Sequence, residues 1–133
     1  MTVDLDEIRR AREEADCLCS AEDVDQALGR LASDITARLH DKNPLIYAVM
    51  NGGLVLAGRL LPRLPFPLEL AYLHATRYGH AIQGTLLDWR VRPTQDLRGR
   101  TVLVLDDILD EGHTLKAIIA HLKEEGAAEV LSA

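Results

Sequence analysis

The chain has 133 residues, of which 47% are hydrophobic, and its formal net charge is −6. This length and composition predict a single folded domain, and the negative charge argues against a nucleic-acid polymer as partner. No apolar run is long enough to span a membrane, and the acidic N-terminus lacks the pattern of a signal peptide, so we expect no membrane association and a cytoplasmic location.

The N-terminal part of the chain predicts two helices. Residues 5–19 are acidic and helix-prone, with apolar residues spaced to share one face. Ser20 is a good N-cap for the second helix because Asp23 follows three residues later, as in a capping box. Cys17 and Cys19 are too close for an ordinary disulfide and have no partner cluster of zinc ligands, so we interpret them as reduced thiols.

A buried strand and a glycine turn come next. Residues 45–50 are almost continuously apolar, which predicts a strand buried on both faces. Asn51, Gly52 and Gly53 follow, and then an apolar helix from 54 to about 61. Two glycines at a strand-to-helix turn expose backbone N–H groups and favour an anion, although such a pair is often only a tight turn.

Two further strands enclose a polar loop. Residues 68–73 predict a strand, and residues 86–92 predict the strand that returns beside it. Residues 74–84 between them are polar, bounded by glycine and without helical or strand period. This pattern predicts a flexible loop that could act as a lid, with an ordinary hairpin tip as the alternative.

The most informative stretch begins with a fourth strand. Residues 101–105 are aliphatic or β-branched, and Asp106 and Asp107 follow at once. A short turn over 110–114 leads into a helix predicted from residue 114 to about residue 125. A strand, an acidic pair, a turn and a helix start are typical of a ligand site at the carboxyl end of a parallel strand.

The chemistry of this stretch suits a phosphorylated sugar bound with a metal ion. A helix N-terminus offers unpaired N–H groups to an anion, and Gly112 allows the backbone to approach a phosphate closely. Thr114 can cap the helix or donate its hydroxyl to a phosphate oxygen. Asp106 and Asp107 would repel a phosphate, so a vicinal diol or a hydrated Mg²⁺ is their better partner.

The alternation of strands and helices predicts an α/β fold. We expect a Rossmann-like parallel sheet flanked by helices, with right-handed crossovers and a flexible hairpin loop. A last strand is predicted over 129–133. Residues 1–133 are expected to form one domain, with a helical lead-in over 1–43 and a ligand-binding core over 44–133.

Residues 102–115, Val-Leu-Val-Leu-Asp-Asp-Ile-Leu-Asp-Glu-Gly-His-Thr-Leu, resemble the phosphoribosyl-pyrophosphate (PRPP) motif of the type I phosphoribosyltransferases. In that family four aliphatic residues precede an acidic pair, two aliphatic residues follow it, and a phosphate loop ends in Thr or Ser. A third acid at Asp110 is the mark of the branch that acts on 6-oxopurines. The resemblance covers approximately residues 45–133 and implies the fold of that family.

The resemblance implies an enzyme of purine salvage. Such a glycosyltransferase moves 5-phosphoribose from PRPP to hypoxanthine or guanine with Mg²⁺ as cofactor, giving IMP or GMP and pyrophosphate. The implied partners are PRPP, a 6-oxopurine base and a nucleoside monophosphate. The family continues past the position of Ala133 with a hood that recognises the purine, so we expect a core that is truncated at its C-terminal end and lacks that hood. A homo-oligomer is also expected, and the apolar Leu56, Leu60 and Trp89 permit a dimer.

The resemblance also implies roles for individual residues. Asp106 and Asp107 would bind the ribose hydroxyls and Mg²⁺. The 5′-phosphate would be bound by Asp110, Glu111, Gly112, His113 and Thr114. Asp110 would also be the catalytic base. Asn51 and Gly52 would bind the leaving pyrophosphate. The flexible loop that covers the pyrophosphate contains Thr76, Arg77 and Tyr78, of which Arg77 is the better electrostatic candidate.

Several alternatives stay open at this point. The chain could be a non-catalytic PRPP- or nucleotide-sensing regulator on the same fold. It could also be an unrelated Mg²⁺-dependent phosphate-binding domain, although it has neither the G-x-G-x-x-G nor the Walker A lysine motif. The acidic pair could be a structural cap or a metal site of another fold, Asp110 could only cap the helix, and His113 could point to solvent while its backbone N–H binds phosphate.

Overall fold

A computed structural model of the chain describes residues 3–77 and 87–133. The helices are α1 (Leu5–Glu14), α2 (Ala21–Leu39), α3 (Gly53–Leu60), which continues into a 3₁₀ turn (Leu61–Arg63), and α4 (His113–Glu124). The strands are β1 (Leu45–Val49), β2 (Glu69–Arg77), β3 (Leu87–Val91), β4 (Thr101–Leu105) and β5 (Glu129–Ser132). Every strand predicted from the sequence has its counterpart, and β1 is buried along its whole length as expected.

The five strands form one sheet in the order β3-β2-β1-β4-β5. β1 pairs in parallel with both β2 and β4, β4 pairs in parallel with β5, and only β3 runs antiparallel, beside β2. The chain therefore leaves β1 toward one edge of the sheet and later returns to the other side of β1. The crevice between the carboxyl ends of β1 and β4 is the topological switch point, where open α/β sheets bind their ligands.

Helices cover the sheet from both sides, so the predicted α/β fold, a mostly parallel sheet flanked by helices, is confirmed. Neighbouring side chains of a strand point to opposite faces, which divides the core into two clusters. The cluster on the α2/α3 face contains Leu28, Ala32, Ile35, Leu39, Ala57 and Leu60 of the helices and Ile46, Ala48, Leu103 and Leu105 of the strands. The cluster on the α4 face contains Ile118 and Leu122 of α4 and Leu45, Tyr47, Val49, Ala71, Leu73, Ala75, Val102 and Val104 of the strands.

The two N-terminal helices differ in how far the sequence predicted them. The capping box of α2 is confirmed, since the Asp23 N–H donates to Ser20 Oγ at 3.1 Å and the Ser20 N–H donates to Asp23 Oδ2 at 2.8 Å. The shared apolar face predicted for α1 buries no residue, and the helix ends at Glu14 rather than continuing to residue 19. Cys17 and Cys19 are free, as predicted, and both are exposed. Within the described ranges, no helix is both long and apolar enough to cross a membrane.

The structure corrects the start of the predicted flexible loop. Thr76 and Arg77 were expected in that loop, but they are the last residues of β2, where they pair with Asp88 and Leu87 of β3. The strand continues because Ala75 still reaches the core and because β3 supplies partners for the backbone, neither of which the local sequence pattern reveals. Tyr78 and the remainder of the predicted loop lie outside the described residues.

Tyr47 is the largest fully buried side chain of the strands. Its hydroxyl donates a hydrogen bond of 2.7 Å to Oε1 of Gln95, which ties β1 to the connection that precedes β4. Burial, together with the nearby charge of Glu69, raises the pKa of Tyr47 to about 12. The hydroxyl is therefore a neutral donor at physiological pH, and the hydrogen bond satisfies the one polar atom that this side chain brings into the core.

Replacing Tyr47 by Phe should lower the free energy of unfolding by about 1 kcal/mol, because Gln95 loses its donor while the packing of the ring is kept. Urea denaturation followed by circular dichroism measures this difference. Tyr72→Phe is the matched control, since Tyr72 is on the exposed side of β2 and should change stability little. Equal effects of the two substitutions would contradict a stabilising role for the Tyr47–Gln95 hydrogen bond.

Candidate functional site

Two turns touch at the switch point, and two glycines make their contact possible. A Cβ atom added to Gly52, after β1, would collide with the carboxylate of Asp107, after β4. A Cβ added to Gly53 would lie 2.8 Å from the carbonyl oxygen of Leu105, which no side chain tolerates. The turn also contains a cis peptide bond between Met50 and Asn51. The glycine pair predicted as an anion-binding turn is therefore also the point at which the loops after β1 and β4 contact each other.

The acidic pair divides its two carboxylates between two cavities. Asp106 is half-buried and lines the α4 cavity, a space of about 170 Å³ formed by Arg77, Asp106 and residues 108–115. Asp107 is exposed and lines the α3 cavity, a space of about 470 Å³ formed by Val24, Leu28, Asn51, Gly52, Val55, Leu56, Arg59 and Asp107. The predicted 5′-phosphate and pyrophosphate residues thus occupy two separate cavities, with one carboxylate of the acidic pair in each.

Burial changes the acidity of Asp106. Loss of solvent raises the pKa of its carboxyl group, and the adjacent Asp107 raises it further by hydrogen bonding and by charge, although the Asp107 N–H, which donates to Asp106 Oδ1 at 3.0 Å, acts in the opposite sense. A cation or a hydroxyl donor placed beside Asp106 would relieve both effects, whereas an anion would add to them. This supports the interpretation of the pair as a site for a diol or a metal.

The N-terminus of α4 opens into the α4 cavity. Gly112 precedes the helix with φ of 77°, a left-handed conformation that glycine adopts without a Cβ penalty. The first hydrogen bond of the helix is donated by the backbone N–H of Lys116 to the Gly112 carbonyl oxygen at 2.9 Å. The backbone N–H groups of residues 113–115 precede it and are therefore available to a ligand. These three donors and the positive end of the helix dipole favour an anion in the α4 cavity.

The structure answers which residue caps this helix. The N-cap is Gly112, which makes no side-chain capping bond, so neither Asp110 nor Thr114 caps α4 and the helix begins one residue earlier than predicted. The imidazole of His113 is 51% exposed, and its Nε2 lies 3.1 Å from Oε2 of Glu111. Asp110 is exposed and lines the α4 cavity with its carboxylate uncommitted to the helix.

The structure brings most of the predicted site residues together. The α4 cavity contains Arg77, Asp106, Asp110, Glu111, Gly112, His113 and Thr114, and the α3 cavity contains Asn51, Gly52 and Asp107. Thr76 lines neither of these two cavities. The sequence interpretation gave no role to Ile108 and Leu109, which line the α4 cavity and are 72% exposed each. Their only signal was their aliphatic character in a polar turn, which would ordinarily indicate burial.

The acidic pair is chemically suited to a divalent cation. No cluster of three or more His, Cys, Asp or Glu side chains that could hold a metal occurs in the part of the chain that the structure describes. Mg²⁺ does not require such a cluster, because it keeps several waters and is commonly held by one or two carboxylates together with substrate phosphates. Asp106 and Asp107 therefore fit Mg²⁺ that arrives with a phosphorylated ligand.

Comparison with known proteins gives one consistent family. Residues 20–133 match the family described as phosphoribosyl transferase domain. The hypoxanthine-guanine phosphoribosyltransferase of Streptococcus pneumoniae is 28% identical over 114 residues, which are 85% of this chain and 63% of that protein. The hypoxanthine-guanine-xanthine phosphoribosyltransferase of Tritrichomonas foetus is 31% identical over 110 residues, 80% of this chain and 58% of that protein. The chain thus spans less than two thirds of the length of these relatives.

A solved structure confirms the fold class that the sequence predicts. The crystal structure of a hypoxanthine phosphoribosyltransferase from Staphylococcus aureus superimposes with a TM-score of 0.85 at 18% sequence identity. The superposition covers 98% of this chain and 71% of that chain. At this identity the likeness concerns the arrangement of strands and helices, which is that of the resembled family.

Two glycine substitutions should shift stability in opposite directions. Gly112→Ala should lower the free energy of unfolding by about 1 kcal/mol, because the new Cβ would occupy a left-handed conformation. Gly58→Ala in α3 should raise it by about 0.5 kcal/mol, because a Cβ there meets nothing within 4 Å and alanine is the better helix former. Thermal or urea unfolding measures both variants, and a Gly112→Ala variant as stable as the wild type or more stable would contradict the described turn at Gly112.

Proposed function

Since the chain belongs to the phosphoribosyltransferase family, we propose that the protein is a Mg²⁺-dependent purine-salvage enzyme. Its proposed reaction transfers 5-phosphoribose from PRPP to a 6-oxopurine, hypoxanthine or guanine, and yields IMP or GMP and pyrophosphate. The names of the two relatives above support this choice of base, and so does Asp110 in the motif that resembles the 6-oxopurine branch.

The observation that carries the proposal is the pair of turns at the switch point. One turn is at the start of α4 and offers free N–H groups beside Asp106. The other is at the start of α3 and places Asn51 and Gly52 beside Asp107. PRPP carries a phosphate at C5 of its ribose, a pyrophosphate at C1, and a vicinal diol at C2 and C3. A ligand of this shape would use both anion-binding turns and present its hydroxyls to the carboxylates between them.

In the proposed mechanism the protein positions PRPP and stabilises the charge that develops. The bond from the ribose C1′ to the pyrophosphate oxygen breaks, and a bond from C1′ to a purine nitrogen forms. Asp106 and Asp107 hold the ribose hydroxyls, and the turn from Glu111 to Thr114 binds the 5′-phosphate through backbone N–H groups. Mg²⁺, when bound, supplies positive charge to the leaving pyrophosphate, and Asp106 and Asp107 are the residues that would hold it.

Asp110 is the proposed acid–base group of the reaction. The purine loses a proton as its nitrogen attacks C1′, and a carboxylate at purine N7 can accept or return that proton. The exposed carboxylate of Asp110 at the mouth of the α4 cavity supports this assignment, since it takes no part in capping α4. Membership of the family removes the alternative of an unrelated Rossmann-type domain. No observation favours the regulatory alternative.

Other parts of the proposal extend beyond the site. Self-association was predicted, but Leu60 is fully buried and cannot contribute to it. Exposed apolar residues that line a groove of about 350 Å³ include Leu54 of α3 and Leu70 and Tyr72 of β2, and these support the proposal of a homo-oligomer. Truncation of the core, a purine-binding hood beyond residue 133 and a cytoplasmic location stay predictions.

Calorimetric titration with PRPP should detect binding that depends on Mg²⁺. The substitution of both carboxylates, Asp106→Asn with Asp107→Asn, should weaken that binding by about 100-fold or more, because the diol and the metal lose their charged ligands. Asp96→Asn is the charge control, since Asp96 pairs with Arg98 away from the two cavities. Binding that is indifferent to Mg²⁺ and to the double substitution would refute the proposed site.

Asp110→Asn should separate an enzyme from a sensor. Turnover of hypoxanthine and guanine should fall by roughly 10²- to 10⁴-fold, the typical contribution of a general acid or base. The affinity for PRPP should not fall, because the Asp110 carboxylate is proposed to act on the purine and its charge does not attract the phosphates. Turnover assays and calorimetry on the same preparation measure both quantities, and a variant with unchanged turnover would contradict the assignment of Asp110.

A further inference from the structure

Arg77 is the last residue of strand β2, although the sequence predicted it in the flexible loop. The last residue pair between β1 and β2 is Val49 with Leu73, so β2 continues four residues past the end of β1. Leu73 and Ala75 both pack into the cluster on the α4 face. Because side chains two residues apart in a strand share a face, Arg77 is on the α4 side of the sheet, beyond its carboxyl edge.

Arg77 lines the α4 cavity. Three carboxylates line the same cavity, those of Asp106, Asp110 and Glu111. The lining residues include two that can be cationic, and one of them, His113, already pairs with Glu111 at 3.1 Å. Arg77 forms none of the ion pairs found within residues 3–77 and 87–133. Among the described residues that line this cavity, the permanent cation that an entering anion meets is the guanidinium of Arg77.

We propose that Arg77 binds the 5′-phosphate of the phosphoribosyl substrate from the end of β2, and that it does not cover the pyrophosphate. This inference rests on the proposed function and adds to it a residue that determines specificity. The helix N-terminus supplies three backbone donors on one side of the phosphate. Arg77 supplies a planar pair of charged donors on the other, a geometry that suits phosphate oxygens.

The two faces of the sheet separate this role from the one expected of a lid residue. Asn51 and Gly52, the predicted pyrophosphate residues, line the α3 cavity together with Asp107 and Arg59. Arg77 lines the α4 cavity, which belongs to the opposite face. Arg77 also offsets the repulsion that Asp106, Asp110 and Glu111 would otherwise exert on a doubly charged phosphate. It therefore allows an acidic site to select a phosphorylated sugar.

Calorimetry with single-ended ligands tests this assignment. Ribose 5-phosphate carries only the 5′-phosphate, and pyrophosphate with Mg²⁺ represents the leaving group. Arg77→Gln should weaken ribose 5-phosphate binding by about 10- to 100-fold, the loss expected of a bidentate charged contact. The same variant should leave Mg²⁺–pyrophosphate binding within about threefold, since Arg77 does not line the α3 cavity and exposed charges are screened by salt. Arg77→Lys keeps the charge without the fork and should bind ribose 5-phosphate more tightly than Arg77→Gln.

Arg90→Gln is the matched control, because Arg90 is exposed on β3 and the substitution removes the same charge. It should leave both affinities unchanged, and circular dichroism should show all variants folded. A selective loss of Mg²⁺–pyrophosphate binding in Arg77→Gln, or an equal loss of both ligands, would overturn the assignment while leaving the proposed function intact. Failure of the wild-type chain to bind PRPP with Mg²⁺ would overturn the proposed function and this inference together.

Discussion

The site depends on the absence of side chains at two positions. Gly52 and Gly53 allow the turn after β1 to lie directly against the turn after β4, where any Cβ would meet the Asp107 carboxylate or the Leu105 carbonyl oxygen. The parallel pairing of β1 with β4 brings their carboxyl ends together, and the two glycines allow the loops to remain together. A side chain at either position would force the loops apart and separate the carboxylates from the glycine turn.

The alternation of strand side chains then distributes charge between the two faces. Successive residues at the end of β4 diverge, so Asp106 enters the α4 cavity and Asp107 enters the α3 cavity. Each cavity combines a carboxylate with the N-terminus of a helix, which places a site for cations and hydroxyls beside a site for anions. This combination suits a ligand that carries phosphate, diol and metal together, and it provides little for a ligand that has only one of them.

The sequence predicted the strands, the capping box and the turn before α4 because each has a local signal. Continuous aliphatic runs mark β1 and β4, and Ser20 with Asp23 marks the start of α2. The end of β2 could not be predicted, because Thr76 and Arg77 are held in the strand by pairing with β3. The division of the acidic pair between two cavities was also hidden, since it depends on the register of β1 against β4.

The most direct test is nuclear magnetic resonance of the ¹⁵N-labelled chain, titrated separately with ribose 5-phosphate and with Mg²⁺–pyrophosphate. Two anion sites on opposite faces of one sheet edge predict two separate sets of amide shifts. Ribose 5-phosphate should shift the amides of His113, Thr114 and Leu115, and Mg²⁺–pyrophosphate should shift those of Gly52 and Gly53. Shifts of the same turn by both ligands would contradict the two-site arrangement on which the proposed function depends.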